Sequence, residues 1–313
     1  MRLIWWVYSH SNTKKNLYIN QSQCNAWLTH KKWKSLNFTT TRTTTLFLKL
    51  EDFLWRKNVS QQPLPYGIKG CGMLIFLVYF TFLVLHNVSN FTLTDQVGLE
   101  CRRCVVVGNG FSIKNTSLGS IIDKYDVVIR LNDAPVRGYE EDVGKKTTLR
   151  IFYPESASSN PRLHNEEDTL MVLVPFKSED LRWLKEILYD EKRNSEGFWK
   201  PPPLIWLGDR GKVRVLDPHF MHQTANKLLQ FPLNNFHPTT GILAVFVALN
   251  YCDVVHLAGF GYPANSAQHQ PIHYYGHYTM KSMQNSSHDI SKEAQALKML
   301  EDSGIITNLH PHL

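Results

Sequence analysis

The chain has 313 residues, of which 43% are hydrophobic and 12% aromatic, enough to bury the core of one large domain or two small ones. Its formal net charge of +7 suits an anionic ligand or surface. The lysines and arginines are scattered and form no stripe with interleaved aromatic residues, which argues against nucleic acid as a partner.

The first hundred residues differ in composition from the rest. Residues 1–45 are polar, basic and rich in threonine without periodicity, which predicts a poorly ordered leader or stem. Leu46–Lys57 is typical of a short amphipathic helix, and we place the catalytic domain over 46–313. The apolar run within 71–85 is shorter than the roughly 20 residues that usually span a bilayer. It is either a short membrane segment or a buried helix or strand.

The cysteines and glycosylation sequons indicate the compartment. Asn-x-Ser/Thr sequons occur at seven asparagines, and their density favours a secretory lumen, where disulfides persist. The five cysteines, an odd number, are Cys24, Cys71, Cys101, Cys104 and Cys252. Basic residues dominate before 71–85, and if that run spans a membrane they place the N-terminus in the cytosol.

From Cys101 onward, apolar runs alternate with helical patterns. The runs predict strands at Val105–Val107, Val127–Leu131, Thr147–Phe152, Leu170–Pro175, Val213–Pro218, Asp253–Ala258 and Ile305–Leu309. Helices are predicted over Leu118–Tyr125 with Ser117 as its cap, Ser178–Lys192, from Pro218 to Leu229, Thr239–Tyr251 and Asp289–Asp302. This alternation predicts an α/β fold with a mostly parallel, twisted sheet flanked by helices.

Two asparagines follow the first two strands of this pattern. Gly108-Asn109-Gly110 ends the first strand, and Asn132 ends the second. The carboxyl ends of parallel strands share one edge of a sheet, so both side chains are expected beside a bound ligand. The turn lacks the third glycine of the dinucleotide fingerprint, and no acidic residue occupies the ribose position, which disfavours a hydride-transfer enzyme. Asp-x-Asp and zinc-ligand spacings are also missing from the sequence.

A second informative stretch runs from His237 to Pro263. Thr240 and Gly241 open a buried helix, whose free N–H groups and hydroxyls would form an anion site. The following strand ends in Gly259-Phe260-Gly261, where the backbone can approach a ligand closely.

Two later histidines are candidates for chemistry. His273 lies in the segment PIHYYGHYT, and His288 precedes Glu293 by five residues. That spacing does not put Glu293 on the helical face of His288. We therefore expect this acid to stabilise the N-terminus of its own helix.

Together these stretches resemble the motifs of eukaryotic sialyltransferases. The segment from Cys104 to Arg150 resembles the large sialylmotif, and Pro238–Pro263 resembles the small one. His273-Tyr-Tyr-Gly resembles the third motif, and His288 with Glu293 is similar to the very small motif, His-x4-Glu. All four occur in the family's order. The flanking text YPESA, FKSEDLRWL and GFWKPPPLIW most resembles the type-4 β-galactoside α-2,3-sialyltransferases.

The resemblance implies a fold, a donor and its contacts. The fold would be a single GT-A-like, Rossmann-type domain that uses CMP-sialic acid without a metal or another cofactor. Asn109 and Asn132 would contact the nucleotide or its phosphate. Thr240 and Gly241 would lie beside the donor, and Gly261 at the cytidine.

The resemblance also implies the reaction. Sialic acid would pass, with inversion, to the 3-hydroxyl of a terminal β-galactose on a glycoprotein or glycolipid. His273 would bind the donor phosphate and stabilise the leaving CMP, and His288 would take the proton from the galactose hydroxyl. Galβ1-4GlcNAc and Galβ1-3GalNAc termini both stay open as acceptors. An imidazole suffices as base because CMP is a good leaving group.

Disulfides and location follow from the same resemblance. Cys104 and Cys252 occupy the positions that link the two large motifs, and Cys101 would pair upstream with Cys71 or Cys24. The family's enzymes are single-pass type II Golgi membrane proteins with a lumenal catalytic domain.

Two features depart from the family pattern. Gly276 stands where the third motif commonly ends in an acid, which would remove any acceptor contact from that position. The N-terminus lacks the clear signal anchor typical of the family. Either the run within 71–85 has become the anchor, or the first hundred residues are an atypical or misassembled N-terminal region. These departures favour an alternative, in which the protein is a catalytically weak homologue that binds CMP or glycans.

Overall fold

The computed structural model describes residues 46–47, 101–229, 237–262, 269–283 and 288–310. Its strands are β1 Arg103–Val107, β2 Val127–Leu131, β3 Leu149–Phe152, β4 Leu170–Leu173, β5 Val213–Val215, β6 Val254–Ala258 and β7 Ile306–Asn308. They form one seven-stranded sheet in the order β5-β4-β3-β2-β1-β6-β7. All six neighbouring pairs are parallel, so the predicted α/β class is confirmed.

Six α-helices lie among these strands. They are α1 Gly119–Ile122, α2 Glu140–Val143, α3 Ser178–Tyr189, α4 Pro218–Gln223, α5 Thr240–Tyr251 and α6 Ile290–Asp302. A π-helical segment, Thr224–Leu228, continues α4. Short 3-10 turns occur at Phe111–Ile113, Pro154–Ser156, Pro161–Leu163, Arg210–Lys212 and Met280–Met283.

The first predicted helix is much shorter than its apolar pattern. The pattern covers Leu118–Tyr125, but α1 is a single turn. The predicted cap at Ser117 is wrong, because this residue has a left-handed backbone with φ of 53°. Its hydroxyl donates to Glu141 Oε1 at 3.0 Å instead of capping the helix. Local polar contacts with the α2 segment therefore replace the expected first turn.

The core lies on both faces of the sheet because side chains alternate along each buried strand. Cys104 and Val106 of β1 face the cluster that contains α5, whereas Val105 and Val107 face the cluster that contains Ile122. The long apolar helix α5 is buried around most of its circumference, as a helix packed within a core must be.

A further cluster covers the β3–β5 side of the sheet. Trp183 of α3 packs with Phe152 and with Trp206, whose ring stacks on Phe152 at a centroid distance of 6.3 Å. Offset aromatic packing of this kind stabilises a core beyond the area it buries. The residues after α3 are thereby tied to the end of β3.

The strand order reverses between β1 and β6. β2–β5 follow β1 on one side, and β6 and β7 lie on its other side. In open α/β sheets, a ligand binds at the carboxyl ends of the strands beside such a reversal. The fold therefore locates the candidate site at the ends of β1 and β6.

A disulfide joins β1 to the end of α5. Cys104 and Cys252 are bonded across a sequence separation of 148 residues, with a Cα–Cα distance of 6.0 Å. This is the pair that the sequence resemblance implied. Cys101 is disulfide-bonded as well. Its partner lies outside the described residues, so the choice between Cys71 and Cys24 stays a prediction.

Only the first two residues of the proposed domain's N-terminal segment are described. Phe47 forms an antiparallel bridge with Leu216, and the Leu46 carbonyl accepts a hydrogen bond from Asp217 N at 2.9 Å. The rest of the helix predicted for 46–57, the leader 1–45 and the run within 71–85 lie outside the described residues. In the part of the chain that is described, no helix is both long and apolar enough to cross a membrane.

Candidate active site

Two glycine turns meet at the ends of β1 and β6. Gly108 N donates to Ala258 O at 2.7 Å, and Gly110 N donates to Gly259 O at 2.8 Å. A Cβ atom on Gly108 would lie 2.4 Å from Gly259 O, which is too close for any other residue. Gly259 itself has a left-handed φ of 70°. The sequence predicts that the backbone at Gly259-Phe260-Gly261 can approach a ligand closely. In the structure, this turn approaches the Gly108–Gly110 turn.

Asn109 is the middle residue of the first turn and contacts the third motif. Its Nδ2 donates to the Tyr275 hydroxyl at 3.1 Å, and its backbone carbonyl accepts from Tyr274 N at 3.0 Å. Its Oδ1 is buried and has no hydrogen-bond partner within the described residues. Buried polar atoms are normally paired, so this acceptor fits a donor group on a ligand.

His273 is held against the same turn. It forms an antiparallel bridge with Gly110, and its ring stacks on Tyr275 at a centroid distance of 5.3 Å. Burial lowers the pKa of His273, although Asp133 acts in the opposite direction. Tyr275 also donates to Asp133 Oδ1 at 3.3 Å, which connects the third motif to the end of β2.

Asn132 at the end of β2 is fixed by its neighbours in β3 and beyond. It has a left-handed backbone with φ of 55°, and its Oδ1 accepts from Ser156 Oγ at 3.0 Å. The buried Arg150 guanidinium donates to the Asn132 carbonyl at 2.8 Å. Burial is the main cause that lowers the Arg150 pKa to about 10. Asn132 is thus held rigidly, through its side chain and its carbonyl alike.

The N-terminus of α5 presents free backbone donors. Thr239 caps the helix, since its Oγ1 accepts from Ile242 N at 3.2 Å. Thr240 N and Gly241 N have no hydrogen-bond partner within the described ranges. Such N–H groups, together with the helix dipole, favour an anion. Gly241 lies against Phe260 and Leu131, which places this helix end beside the turns after β2 and β6.

Glu293 lies in the first turn of its own helix, as expected, but its carboxylate binds the start of a different helix. Its carboxylate accepts from Thr239 N at 2.7 Å and from Thr239 Oγ1 at 2.6 Å. The N-cap of its own helix is Asp289, which accepts from Lys292 N. Burial is the largest cause that raises the Glu293 pKa to about 7, while the Thr239 contacts oppose this rise. The acid therefore positions the start of α5 from the first turn of α6, while Asp289 caps α6.

His288 also contacts the segment that enters α5. Its Nδ1 lies 2.7 Å from the His237 carbonyl oxygen. A carbonyl can only accept, so Nδ1 carries the hydrogen and Nε2 carries the lone pair of the neutral ring. Burial lowers the His288 pKa, which favours this neutral form at physiological pH. An imidazole in this tautomer can act as a base through Nε2.

The structure gathers the predicted site residues around one edge of the sheet. Contacts link Asn109 with His273 through Tyr275, and the exposed Gly261 lies against Gly110 through its carbonyl. Thr240 and Gly241 are linked to His288 through the His237–Thr239 segment. Within the described residues, no group of three or more His, Cys, Asp or Glu side chains is arranged to hold a metal ion.

Sequence reasoning missed several residues that support this site. Tyr275 follows His273 by two positions, and Ser156 lies in the YPESA segment, so both were in stretches already singled out. Arg150 had its own signal, a charged residue inside a buried apolar strand. Which residue would touch Asn132 depends on how β2 and β3 pair, and this register is not readable from the chain.

The fold and the family profile are those of a glycosyltransferase. The chain belongs to glycosyltransferase family 29, the sialyltransferases, whose family profile matches residues 47–305. Membership implies CMP-sialic acid as the donor. The family and the enzyme class predicted from the sequence are therefore confirmed.

Similar relatives carry sialyltransferase names. The CMP-N-acetylneuraminate-beta-galactosamide-alpha-2,3-sialyltransferase 4 of Mus musculus is 50% identical over 270 residues, which cover 84% of this chain and 79% of that protein. The Homo sapiens protein of the same name is 51% identical over 269 residues, which cover 84% of this chain and 79% of that protein. The Type 2 lactosamine alpha-2,3-sialyltransferase of Rattus norvegicus is 45% identical over 257 residues, with 79% and 74% covered.

Solved structures agree with the fold. A crystal structure of a mammalian sialyltransferase matches with a TM-score of 0.66 and 27% identity, covering 89% of this chain and 94% of that one. Another, in complex with Gal-beta-1-3GalNAc-ortho-nitrophenol, has the same TM-score and 28% identity, with 89% and 95% covered. The predicted single Rossmann-type domain is confirmed.

Proposed function

We propose that this chain transfers sialic acid from CMP-sialic acid to the 3-hydroxyl of a terminal β-galactose. The observation that carries the proposal is the pairing of an anion site with a base. Thr240 N and Gly241 N offer free donors at the start of α5, and the segment before that helix holds His288 as a neutral imidazole. The names of the similar relatives support α-2,3 linkage to galactose.

The proposed donor contacts combine groups without a partner among the described residues with side chains that the structure holds in place. The α5 N-terminus would bind the donor phosphate together with His273, whose ring is held by the Gly110 bridge and the Tyr275 stack. Asn109 Oδ1 would accept a hydrogen bond from the nucleotide. Asn132 would contact the nucleotide or its phosphate, and Gly261, whose φ of 113° favours glycine, would lie at the cytidine.

The chemical step is an inverting displacement. The galactose O3 attacks C2 of sialic acid while its proton passes to His288 Nε2. The bond between C2 and the phosphate oxygen breaks, and its electron pair leaves with CMP. His273 and the α5 donors stabilise the negative charge that develops on that phosphate. Because the phosphodiester carries one charge, these protein groups suffice, and we propose that the reaction needs no metal.

Product analysis tests the proposal. Purified enzyme is incubated with CMP-sialic acid and an array of glycans ending in Galβ1-4GlcNAc or Galβ1-3GalNAc, with and without EDTA. We expect α-2,3-linked product at similar rates in both conditions, and the array identifies the preferred acceptor, which the sequence left open. A folded preparation that sialylates no β-galactoside would contradict the function, and a loss restricted to EDTA would contradict metal independence.

One observation favours the second candidate, a catalytically weak protein that binds CMP or glycans. Gly276 is exposed, and a Cβ atom built on it would meet nothing within 4 Å, so this position supplies no side chain to an acceptor. Binding of CMP without turnover on any acceptor would establish this candidate. Transfer restored by Gly276→Glu would show that the missing acid is the cause.

We also propose that the enzyme is a single-pass type II Golgi membrane protein with a lumenal catalytic domain. The disulfides and the sequon density support a lumenal compartment. Protease protection in sealed microsomes tests the topology. Digestion of the catalytic domain without detergent would contradict it.

A further inference from the structure

The chain beyond β7 reaches back to the candidate donor site. Leu309 N donates to Leu257 O at 2.8 Å, so the segment after β7 continues along β6. The next residue, His310, is partly buried, and its Nε2 accepts from Gly259 N at 2.7 Å. Gly259 is the first residue of the turn after β6. A side chain outside all four sequence motifs therefore contacts the backbone of one of them.

This contact completes a clamp on the backbone of one residue, Gly259. The N–H of Gly259 is bound by His310 on the β7 side, and its carbonyl is bound by Gly110 N on the β1 side at 2.8 Å. Gly259 also has a left-handed φ of 70°, and its own Cβ position would lie 2.6 Å from Gly108 O. The separation of the two glycine turns thus depends on the backbone conformation of Gly259, whose two adjoining peptide units carry these two hydrogen bonds.

We propose that His310 is a positioning residue for the donor site. Its imidazole fixes the N–H side of the Gly259 backbone, and this backbone in turn sets the turn that carries Gly261 and the spacing around Asn109. The identification of the ligand as CMP rests on the proposed function, whereas the clamp itself does not. His310 must present an unprotonated Nε2, so its Nδ1 carries the hydrogen.

Three variants test the assignment. His310→Ala removes the acceptor, and His310→Gln keeps an amide oxygen at similar reach. The exposed His269→Ala is the matched control. CMP binding is measured by calorimetry, and KM is measured separately for donor and acceptor. We expect His310→Ala to weaken CMP binding and raise the donor KM by about 5- to 10-fold, the effect of one hydrogen bond. The acceptor KM should stay unchanged, and His310→Gln should stay within about 2-fold of the wild type.

Hydrogen exchange of the Gly259 amide provides a measurement that needs no ligand. Faster exchange in His310→Ala than in the wild type and in His310→Gln supports the clamp. Equal exchange in all variants overturns it, as does unchanged CMP affinity in His310→Ala or an equal loss in the Ala and Gln variants. Absence of CMP binding by the wild type would contradict the proposed function instead. The exchange rates of the Gly259 amide would then still test whether His310 holds the Gly259 backbone.

Discussion

His288 and Glu293 belong to one short motif but contact different groups around the entry to α5. His288 binds the His237 carbonyl, and Glu293 binds the backbone and hydroxyl of Thr239. The proposed base and the helix end proposed to bind the anion are therefore held by one segment of chain. This explains in physical terms why a His-x4-Glu spacing is useful without any contact between its two residues.

The first prediction concerns His288 as the base. His288→Ala should reduce kcat by about 10²- to 10⁴-fold, the usual contribution of a general base, while CMP affinity stays within about 2-fold. In the wild type, kcat should fall as the pH drops through the His288 pKa, because the protonated ring cannot accept a proton. Burial holds that pKa below its usual value of 6.5, so the decline should begin below about pH 6.5.

Initial rates across the pH range, with CMP calorimetry on both proteins, check this prediction. His269→Ala is the control for an exposed histidine. Loss of CMP binding in His288→Ala would reassign this residue to the structure of the site.

The second prediction concerns the buried Glu293 carboxylate. Its folded pKa of about 7 lies above its usual value of 4.5, so the folded state holds this proton more tightly than the unfolded state. Because the folded state binds this proton more tightly, the free energy of unfolding falls as pH rises from about 4.5 to about 7. At about 1.4 kcal/mol per pKa unit, this change is on the order of 3 kcal/mol. Glu293→Gln, which cannot ionise, should lack this part of the pH dependence.

Urea denaturation of both proteins between about pH 5 and pH 8 measures the difference, since other titrating groups contribute equally to both curves. Parallel stability curves for the wild type and Glu293→Gln would show that the acid is not buried in this way.

At the scale of single elements, the two glycine turns depend on backbone proximity. A third prediction compares two glycines of the site. Gly108→Ala should destabilise the protein by about 3 kcal/mol or more, because its Cβ would meet a backbone oxygen at 2.4 Å. Gly241→Ala should be neutral or stabilising, because its nearest neighbour is at 3.4 Å and alanine favours the helix. Equal losses in chemical denaturation would contradict the packing of the turns.

The disulfide supports a fourth prediction. It connects β1 with the residue that caps the C-terminus of α5, and so fastens both halves of the candidate donor site. Replacing Cys104 and Cys252 together by serine should cost about 5 kcal/mol, since the bond closes a loop of 148 residues. Guanidinium denaturation of the double variant measures this cost. Because the double variant lacks this bond, a reductant should lower the stability of the wild type more than that of the variant.

At the scale of the whole molecule, the domain begins before its first sheet strand. Phe47 bridges Leu216 and packs against the main core, so this residue belongs to the folded domain, and the boundary at residue 46 stays a prediction. A fifth prediction is that, when Cys71 is the partner of Cys101, a chain lacking residues 1–45 keeps its stability, whereas Phe47→Asp loses about 2 kcal/mol because a charge replaces an apolar contact. Thermal unfolding of both proteins checks this. If the deletion and Phe47→Asp lowered the stability equally, the domain would begin before residue 46.

Most of the sheet could be predicted from the sequence because its strands are short apolar runs buried on both faces. The predicted and observed spans of β2 coincide, and α5 starts one residue after its predicted start. The prediction failed where polar contacts compete with periodicity. Ser117 donates to Glu141 from another element, and Glu293 reaches Thr239 across 54 residues of sequence. Neither partner can be found by spacing within one helix.

Local patterns and spacings by themselves determined the alternation of strands and helices, the glycine turns and the family of the enzyme. These features depend on periodicity, chain flexibility and motif order, which are properties of neighbouring residues. Only the tertiary structure decided the strand order, the register that brings Arg150 to Asn132, and the contacts of Tyr275, Glu293 and His310. These depend on parallel pairing between distant segments, for which a linear chain carries no local signal.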